Sequence, residues 1–296
     1  MRNHTRLVVA VLGFVLATTG NAYAQDRFFE SSGVRIRYVD QGSGDPIVLI
    51  HGNGGSLQGW IDSGVLPALA EHYRVIALDA RGHGRSGKPH EARAYGREMG
   101  LDVIRLLDHL DLRRAHIVGY SMGASIAATL LTTHPDRFLT ATLGGAPGRF
   151  NWTAADTARA EKEAAEKERD CVSRAQMTRL APPNQPPVSE EEFQKRSKAC
   201  MADPNQDRFA LAAVHRGMKD QAVTPDQVRA IRVPTLGVVG SRDPYLPGFQ
   251  ELKKLRPAMK LVVIEGATHG TAMRAPEFLS AVREFLKSKP PETAVK

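Results

Sequence analysis

An α/β fold with a largely parallel sheet is predicted by two features of the chain. Short apolar runs alternate with helical patterns, as in strands joined by crossover helices. Several of those runs are near-continuous Val, Ile and Leu, as strands covered on both faces should be. The composition agrees: 42% hydrophobic and 24% charged residues exclude collagen, coiled coil and wholesale disorder. At 296 residues the chain can bury a large core as one big α/β domain or two smaller ones. Two cysteines are too few for a disulfide scaffold or a Cys-rich zinc site.

The first element is an address label. Arg2 and Arg6 form a basic start, LVVAVLGFVLATTG follows as an apolar stretch, and Ala22-Tyr23-Ala24 supplies the small-x-small pattern of a cleavage site after Ala24. The stretch is shorter than the ~20 residues that a bilayer span needs. Export with cleavage is therefore expected, into the periplasm or the medium, with no membrane span in the mature product. Loss of Arg2 and Arg6 lowers the net charge from +8 to +6.

Candidate strands are Val34–Tyr38, Ile47–Ile50, Val75–Leu78, His116–Val118, Thr140–Leu143, Thr235–Val239 and Leu261–Ile264. Asp102–Leu112 and Ala124–Thr132 read as helices between them. Pro276–Leu286 reads as a closing helix with proline in its first turn. The rhythm breaks between Gly148 and Ala222, where the chain is charged and helical, then Pro-rich (APPNQPPVSEEEF). This is expected to be a solvated helical insertion, with Glu163 and Lys167 as an i,i+4 pair on its exposed face. No internal repeat is present. The expected organisation is a leader over 1–24, a core over 25–147 resumed over 223–290, a helical cap over 148–222 and a tail over 291–296. Both cysteines, Cys171 and Cys200, fall in the cap. In an oxidising compartment a single pair in one segment points to a disulfide. Closing a loop of about thirty residues would contribute roughly 3–4 kcal/mol.

Gly119-Tyr120-Ser121-Met122-Gly123 matches G-x-S-x-G. The pattern is short enough to occur by chance, but here it follows a strand and opens an Ala-rich helix, the setting of a nucleophile elbow. The tight turn needs small neighbours, and the hydroxyl stands at a helix N-terminus that favours developing negative charge. A serine hydroxyl also needs a base and an orienting acid. His269, in EGATHG, lies just past the last strand, and Asp243, in GSRDP, just past the preceding one. Loops after strand C-termini converge on one rim of a parallel sheet, the rim of the elbow. The order Ser121, Asp243, His269 fits this arrangement. A rival acid after Thr140–Leu143 is excluded because Gly144–Gly148 contains none. The glycine cluster His51-Gly52-Asn53-Gly54-Gly55 follows another strand, and the backbone N–H groups of Asn53 and Met122 are candidate oxyanion donors.

With GVRIRYVDQGSGDPIVLIHGNGG, LDARGHGRSGKP, GYSMGA, GSRDP and GATHG, nearly the whole mature chain resembles the α/β-hydrolase superfamily in its cap-bearing branch, near carboxylesterases and lactonases. The resemblance implies an eight-stranded, mostly parallel sheet, a lid between strands six and seven, and no cofactor. Relatives include esterases, lactonases, thioesterases, C–C hydrolases, perhydrolases, epoxide hydrolases and dehalogenases. The last two usually carry Asp at the nucleophile position, so Ser121 counts against them.

The activity expected is hydrolysis of a small or medium ester or lactone through an acyl-enzyme. The alternatives are C–C cleavage or perhydrolysis by the same triad, or a non-catalytic ligand receptor on the same fold. Tyr245, Leu246 and Trp152 are candidate substrate contacts, with Phe150, Phe193 and Phe209 as further lid aromatics. Gly82-His83-Gly84-Arg85-Ser86-Gly87 matches a dinucleotide fingerprint, but Pro89 and the turn-rich stretch after it interrupt the helix that should receive a pyrophosphate. Asp79 and His83 are then structural. His90-Glu91 begins H-E-x-x-H, yet position 94 is Ala, so no zinc pair forms and no metal is expected. The basic excess is spread through mixed-charge segments, which argues against nucleic-acid binding.

Overall fold

The apolar runs become the strands of one sheet. The computed structural model describes residues 25–288; the expected leader and the tail over 291–296 lie outside the described residues. The eight strands are β1 (Arg27–Ser31), β2 (Val34–Gln41), β3 (Pro46–Ile50), β4 (Arg74–Leu78), β5 (Ala115–Tyr120), β6 (Phe138–Gly144), β7 (Thr235–Gly240) and β8 (Lys260–Ile264). Their order is β1-β2-β4-β3-β5-β6-β7-β8. Only the β1/β2 and β2/β4 pairings are antiparallel. The strand β1 was not among the sequence candidates, because RFFES is short, charged and half exposed, with only Phe29 and Ser31 buried.

Helices α1 (Gln58–Asp62), α2 (Val65–Ala70), α3 (Arg97–His109) and α4 (Met122–Thr133) connect the first strands. In α3 the helix begins five residues before the expected Asp102. Next come α5 (Ala154–Asp170), α6 (Arg174–Leu180), α7 (Glu190–Ala202) and α8 (Arg208–Gly217), all between β6 and β7, then α9 (Pro225–Ala230), α10 (Leu246–Leu255) and α11 (Pro276–Lys287). Two apolar layers cover the sheet. One packs α3, α4 and α10 residues such as Leu107, Ile126 and Phe249 against it, and the other gathers Trp60, Leu69, Phe278 and Phe285. β5 is buried at every position and ten consecutive residues of α4 are buried, so the elbow between them rests on the most enclosed part of the core.

The cap is built from capped helices. Thr153 and Asp156 form a reciprocal capping box on α5, and the Ser173, Ser189 and Asp207 side chains accept from the first turns of α6, α7 and α8. An isolated bridge between Phe150 and Val223 closes the neck of the insertion. Cys171 and Cys200 are joined by a disulfide, with Cα atoms 5.9 Å apart, linking the end of α5 to α7. The expected exposed face at Glu163 and Lys167 is corrected by the structure. Glu163 is 2% and Lys167 5% exposed, because α5 lays this face against the Ala-rich α8. The glycine-rich turn after β4 closes on a carboxylate: a Cβ on Gly84 would collide with the Asp79 side chain. Asp79 at its base is fully buried and accepts from the Leu57 and Arg85 N–H groups, so it ties two loops together.

Candidate active site

The connections of β3 and β5 leave in opposite directions, so a crevice opens between their C-terminal ends. Ser121 occupies the turn from β5 into α4, with φ 55° and ψ −109°. This left-handed backbone costs about 1–3 kcal/mol in a residue with a Cβ. The turn is held by the Ser121 N–H donating to the Gly144 carbonyl at 2.7 Å. Glycine is required on both sides: a Cβ on Gly119 would collide with the Gly123 backbone, and one on Gly123 with the Ile50 carbonyl.

The structure brings three predicted side chains together. Ser121 Oγ lies 2.9 Å from His269 Nε2, and His269 Nδ1 lies 2.9 Å from Asp243 Oδ2. With Nδ1–H donating to the carboxylate, Nε2 is left to accept from the serine hydroxyl. Asp243 is 2% and His269 9% exposed. The second carboxylate oxygen accepts from the Tyr245 N–H at 2.9 Å, and the Asp243 N–H donates to the Gly240 carbonyl. A further residue holds His269: the Tyr120 hydroxyl donates to its carbonyl at 2.6 Å. Burial and the nearby Asp243 charge push the Tyr120 hydroxyl pKa up, so it stays a donor. The motif displayed Tyr120 only as the variable position of G-x-S-x-G, which carried no signal of this contact.

Asn53 and Met122 also meet. The Asn53 amide nitrogen lies 3.9 Å from Met122 Sδ, and Met122 is the first residue of α4, whose N–H has no intrahelical acceptor. The loop that carries Asn53 is fixed by His51. The Ala80 N–H donates to His51 Nε2 at 3.0 Å, so Nδ1 carries the proton and donates to the Gly52 carbonyl at 2.8 Å. Burial holds His51 below its ordinary pKa, which keeps this neutral tautomer.

A cavity of about 650 Å³ adjoins His269 and Asn53 and is roofed by Met177, Leu180, Pro182 and Val188 of the cap. Its size is that of a small-molecule pocket. Neither Tyr245 nor Leu246 is among the residues that line it: the Tyr245 ring is tilted against His269, with centroids 5.4 Å apart, and its hydroxyl accepts from Arg179 at 2.7 Å. Leu246 opens α10 and packs on the core behind it. Trp152 is not on this cavity: it lines a separate one with Ala92 and Arg216, and its Nε1 donates to Thr157. The other lid aromatics are also spent elsewhere. Phe193 is buried beneath Arg174, Phe209 is exposed beside His90, and Phe150 forms the neck bridge. The roof mixes aliphatic and proline side chains with polar ones such as Gln176, Glu192 and Arg196, and no aromatic residue lines it.

A serine, a histidine and an aspartate joined in this order on the rim of a mostly parallel sheet define the hydrolases built on this architecture. The chain belongs to the α/β hydrolase fold family, whose model matches residues 45–276. It is 39% identical over 124 residues to the dihydrolipoyllysine-residue acetyltransferase component of the acetoin cleaving system of Cupriavidus necator, covering 42% of this chain and 32% of that protein. It is 38% identical over 120 residues to 2-hydroxymuconate semialdehyde hydrolase of a Pseudomonas species, covering 40% of this chain and 42% of that one. The matches thus span about a third to two-fifths of the relatives' length. Among solved structures, a carboxylesterase study of the thaumarchaeon Nitrososphaera gargenis superposes with a TM-score of 0.71 at 22% identity, covering 88% of this chain and 98% of the other.

Proposed function

We propose that the protein is an exported serine hydrolase that cleaves carboxylic esters or lactones of small to medium size through an acyl-enzyme. The observation that carries this reading is the continuous hydrogen-bond chain from Ser121 through His269 to Asp243. His269 takes the proton as Ser121 Oγ attacks the acyl carbonyl, and the Asn53 and Met122 N–H groups receive the developing oxyanion, aided by the N-terminal end of α4. The C–O bond then breaks and His269 returns the proton to the leaving alcohol. In the second half, His269 draws a proton from water, which releases the acid and regenerates Ser121. Asp243 fixes the tautomer throughout. Met177, Leu180, Pro182 and Val188 offer a surface for a partly apolar acyl group, beside the polar Gln176, Glu192 and Arg196 of the same roof. Export rests on the leader's basic start, apolar stretch and Ala22-Tyr23-Ala24 site.

Cleavage of a carbon–carbon bond by the same three residues is a second reading, favoured by the likeness to 2-hydroxymuconate semialdehyde hydrolase, whose named substrate is not an ester. One experiment tests the proposal. The full gene is expressed, and the exported fraction is assayed on an ester, lactone and vinylogous-diketone panel beside Ser121→Ala. A mature chain starting at Gln25, turnover of esters or lactones, and a fall of roughly 10⁴-fold or more in the variant are expected. Full ester activity in Ser121→Ala defeats the mechanism. Turnover of the diketone alone transfers the protein to C–C hydrolysis. Labelling by a fluorophosphonate without turnover of any substrate favours a receptor. A chain retained in the cytoplasm with Met1 intact defeats export.

A further inference from the structure

The roof of the cavity and the base share one guanidinium. Thr178 and Leu180, on either side of Arg179 in α6, line the cavity at His269. An arginine carries five N–H donors in a rigid plane, so one side chain can serve two acceptors at a fixed spacing. In Arg179, Nε and Nη2 donate to the two carboxylate oxygens of Glu163 at 2.7 and 2.9 Å, and Nη1 donates to the Tyr245 hydroxyl at 2.7 Å. Glu163 belongs to α5 and is 2% exposed. The fork is therefore anchored on a carboxylate inside the cap and reaches out to a residue of the core.

Tyr245 passes that contact to the triad in two ways. Its N–H donates to Asp243 Oδ1 at 2.9 Å, and its ring is tilted against the His269 imidazole. The Tyr120 ring packs on the same imidazole with centroids 5.8 Å apart. Tyr120 is held from the core, by its hydroxyl on the His269 carbonyl. Tyr245 is held from the cap: among the described residues its hydroxyl has no hydrogen-bond partner other than Arg179.

We propose that Arg179 is a positioning residue for the reaction, which through the Tyr245 hydroxyl holds the His269 imidazole in line with Ser121. Seating of α6 over the cavity and alignment of the base are then one event. The proposal rests on the serine-hydrolase reading and adds to it a cap residue that touches none of the reacting atoms. It also gives Tyr245, which does not line the cavity, a task beside His269. The fork matters as much as the charge. A lysine at position 179 could stay with Glu163, but its single ammonium has no second arm for Tyr245.

Labelling of Ser121 by diisopropyl fluorophosphate reads the base without choosing a substrate. The Ser121 Oγ–P bond forms, the P–F bond breaks with loss of fluoride, and His269 takes the hydroxyl proton. The labelling rate of the full-length protein is measured well below each melting temperature in Arg179→Lys, Tyr245→Phe and the double variant. Arg216→Met is the control, since it cuts the links from α8 to Glu161 and Glu168 of α5 without reaching Tyr245. A fall of roughly tenfold is expected in each single variant, as for a base displaced by a fraction of an ångström. No further fall is expected in the double variant, because both changes remove one contact. Arg216→Met should label at the parental rate. On an activated acetate ester the same loss should appear in kcat with KM unchanged, since acylation and deacylation both use His269. A purely structural role would lower the melting temperature and leave the labelling rate of each folded molecule unchanged. Parental labelling in Arg179→Lys or Tyr245→Phe, or an additive loss of roughly a hundredfold in the double variant, overturns the proposal. Should Arg179→Lys not fold, Tyr245→Phe decides alone, because it leaves the ring and the Glu163 pair in place. A parent protein that is not labelled at all removes the serine-hydrolase reading and this proposal with it. A labelled parent with unaffected variants removes the positioning role alone.

Discussion

At the residue scale, the carboxylate of Asp243 selects a tautomer. Its Oδ2 accepts from His269 Nδ1 while Oδ1 accepts from the Tyr245 N–H, so both oxygens have assigned partners. In Asp243→Asn the Oδ1 contact can persist, but the amide nitrogen now faces Nδ1 and donates to it. The imidazole proton then moves to Nε2, where it meets Ser121 Oγ and cannot accept from it. A fall in kcat of about 10⁴-fold is expected, with little change in melting temperature, measured by steady-state kinetics on an activated ester beside a thermal melt. The three side chains were legible in the sequence because each follows a strand within a tight turn. Tyr120 and His51 were not, since one acts through a carbonyl 149 positions away and the other through the amide of Ala80. Such contacts exist only once the sheet has closed.

At the element scale, the cap shows why charge spacing alone misled. Glu163 and Lys167 at i,i+4 look the same whether the face they share meets water or another helix. The decision lies in α8, whose Ala210, Ala212 and Ala213 let α5 approach, while Arg216 anchors the outer rim to Glu161 and Glu168. Burial alone would raise the Glu163 carboxyl, but the neighbouring His215 and the two Arg179 bonds outweigh it and hold it at about 2. For His215, burial dominates and lowers it to about 4. Both shifts act in one direction. Between about 6.5 and 4 the unfolded chain binds a proton at His215 that the folded cap refuses, and between about 4.5 and 2 the same holds at Glu163. Stability is therefore lost as pH falls through both windows. Thermal melts from pH 7 to 4 should show a falling midpoint. Its slope above pH 4.5 should shrink in His215→Gln, which removes the first proton; an unchanged slope would mean that this histidine is not buried neutral.

At the scale of the whole molecule, the strand rhythm was legible because burial on both faces leaves so few residue types that fit. What it left out was how the two apolar layers divide the work of holding the site. The layer with α3 and α4 supports the elbow from one side. In the other, Phe278 of α11 packs edge-on against Tyr120, with centroids 5.9 Å apart, and beside Trp60 at 6.2 Å. Tyr120 in turn holds the His269 carbonyl. The closing helix is thus coupled to His269 through one aromatic ring. Phe278→Ala should cost about 3–5 kcal/mol by leaving a cavity. It should also let Tyr120 drift, and a displacement near 1 Å at a catalytic group can cost about 10²-fold in rate. Leu107→Ala, in the opposite layer on α3, should cost a similar 2–5 kcal/mol without touching Tyr120. Measured well below both melting temperatures, kcat should fall in Phe278→Ala and stay near that of the parent protein in Leu107→Ala. Equal kcat in the two variants would break the link, because stability loss alone lowers the folded fraction and not the rate of each folded molecule.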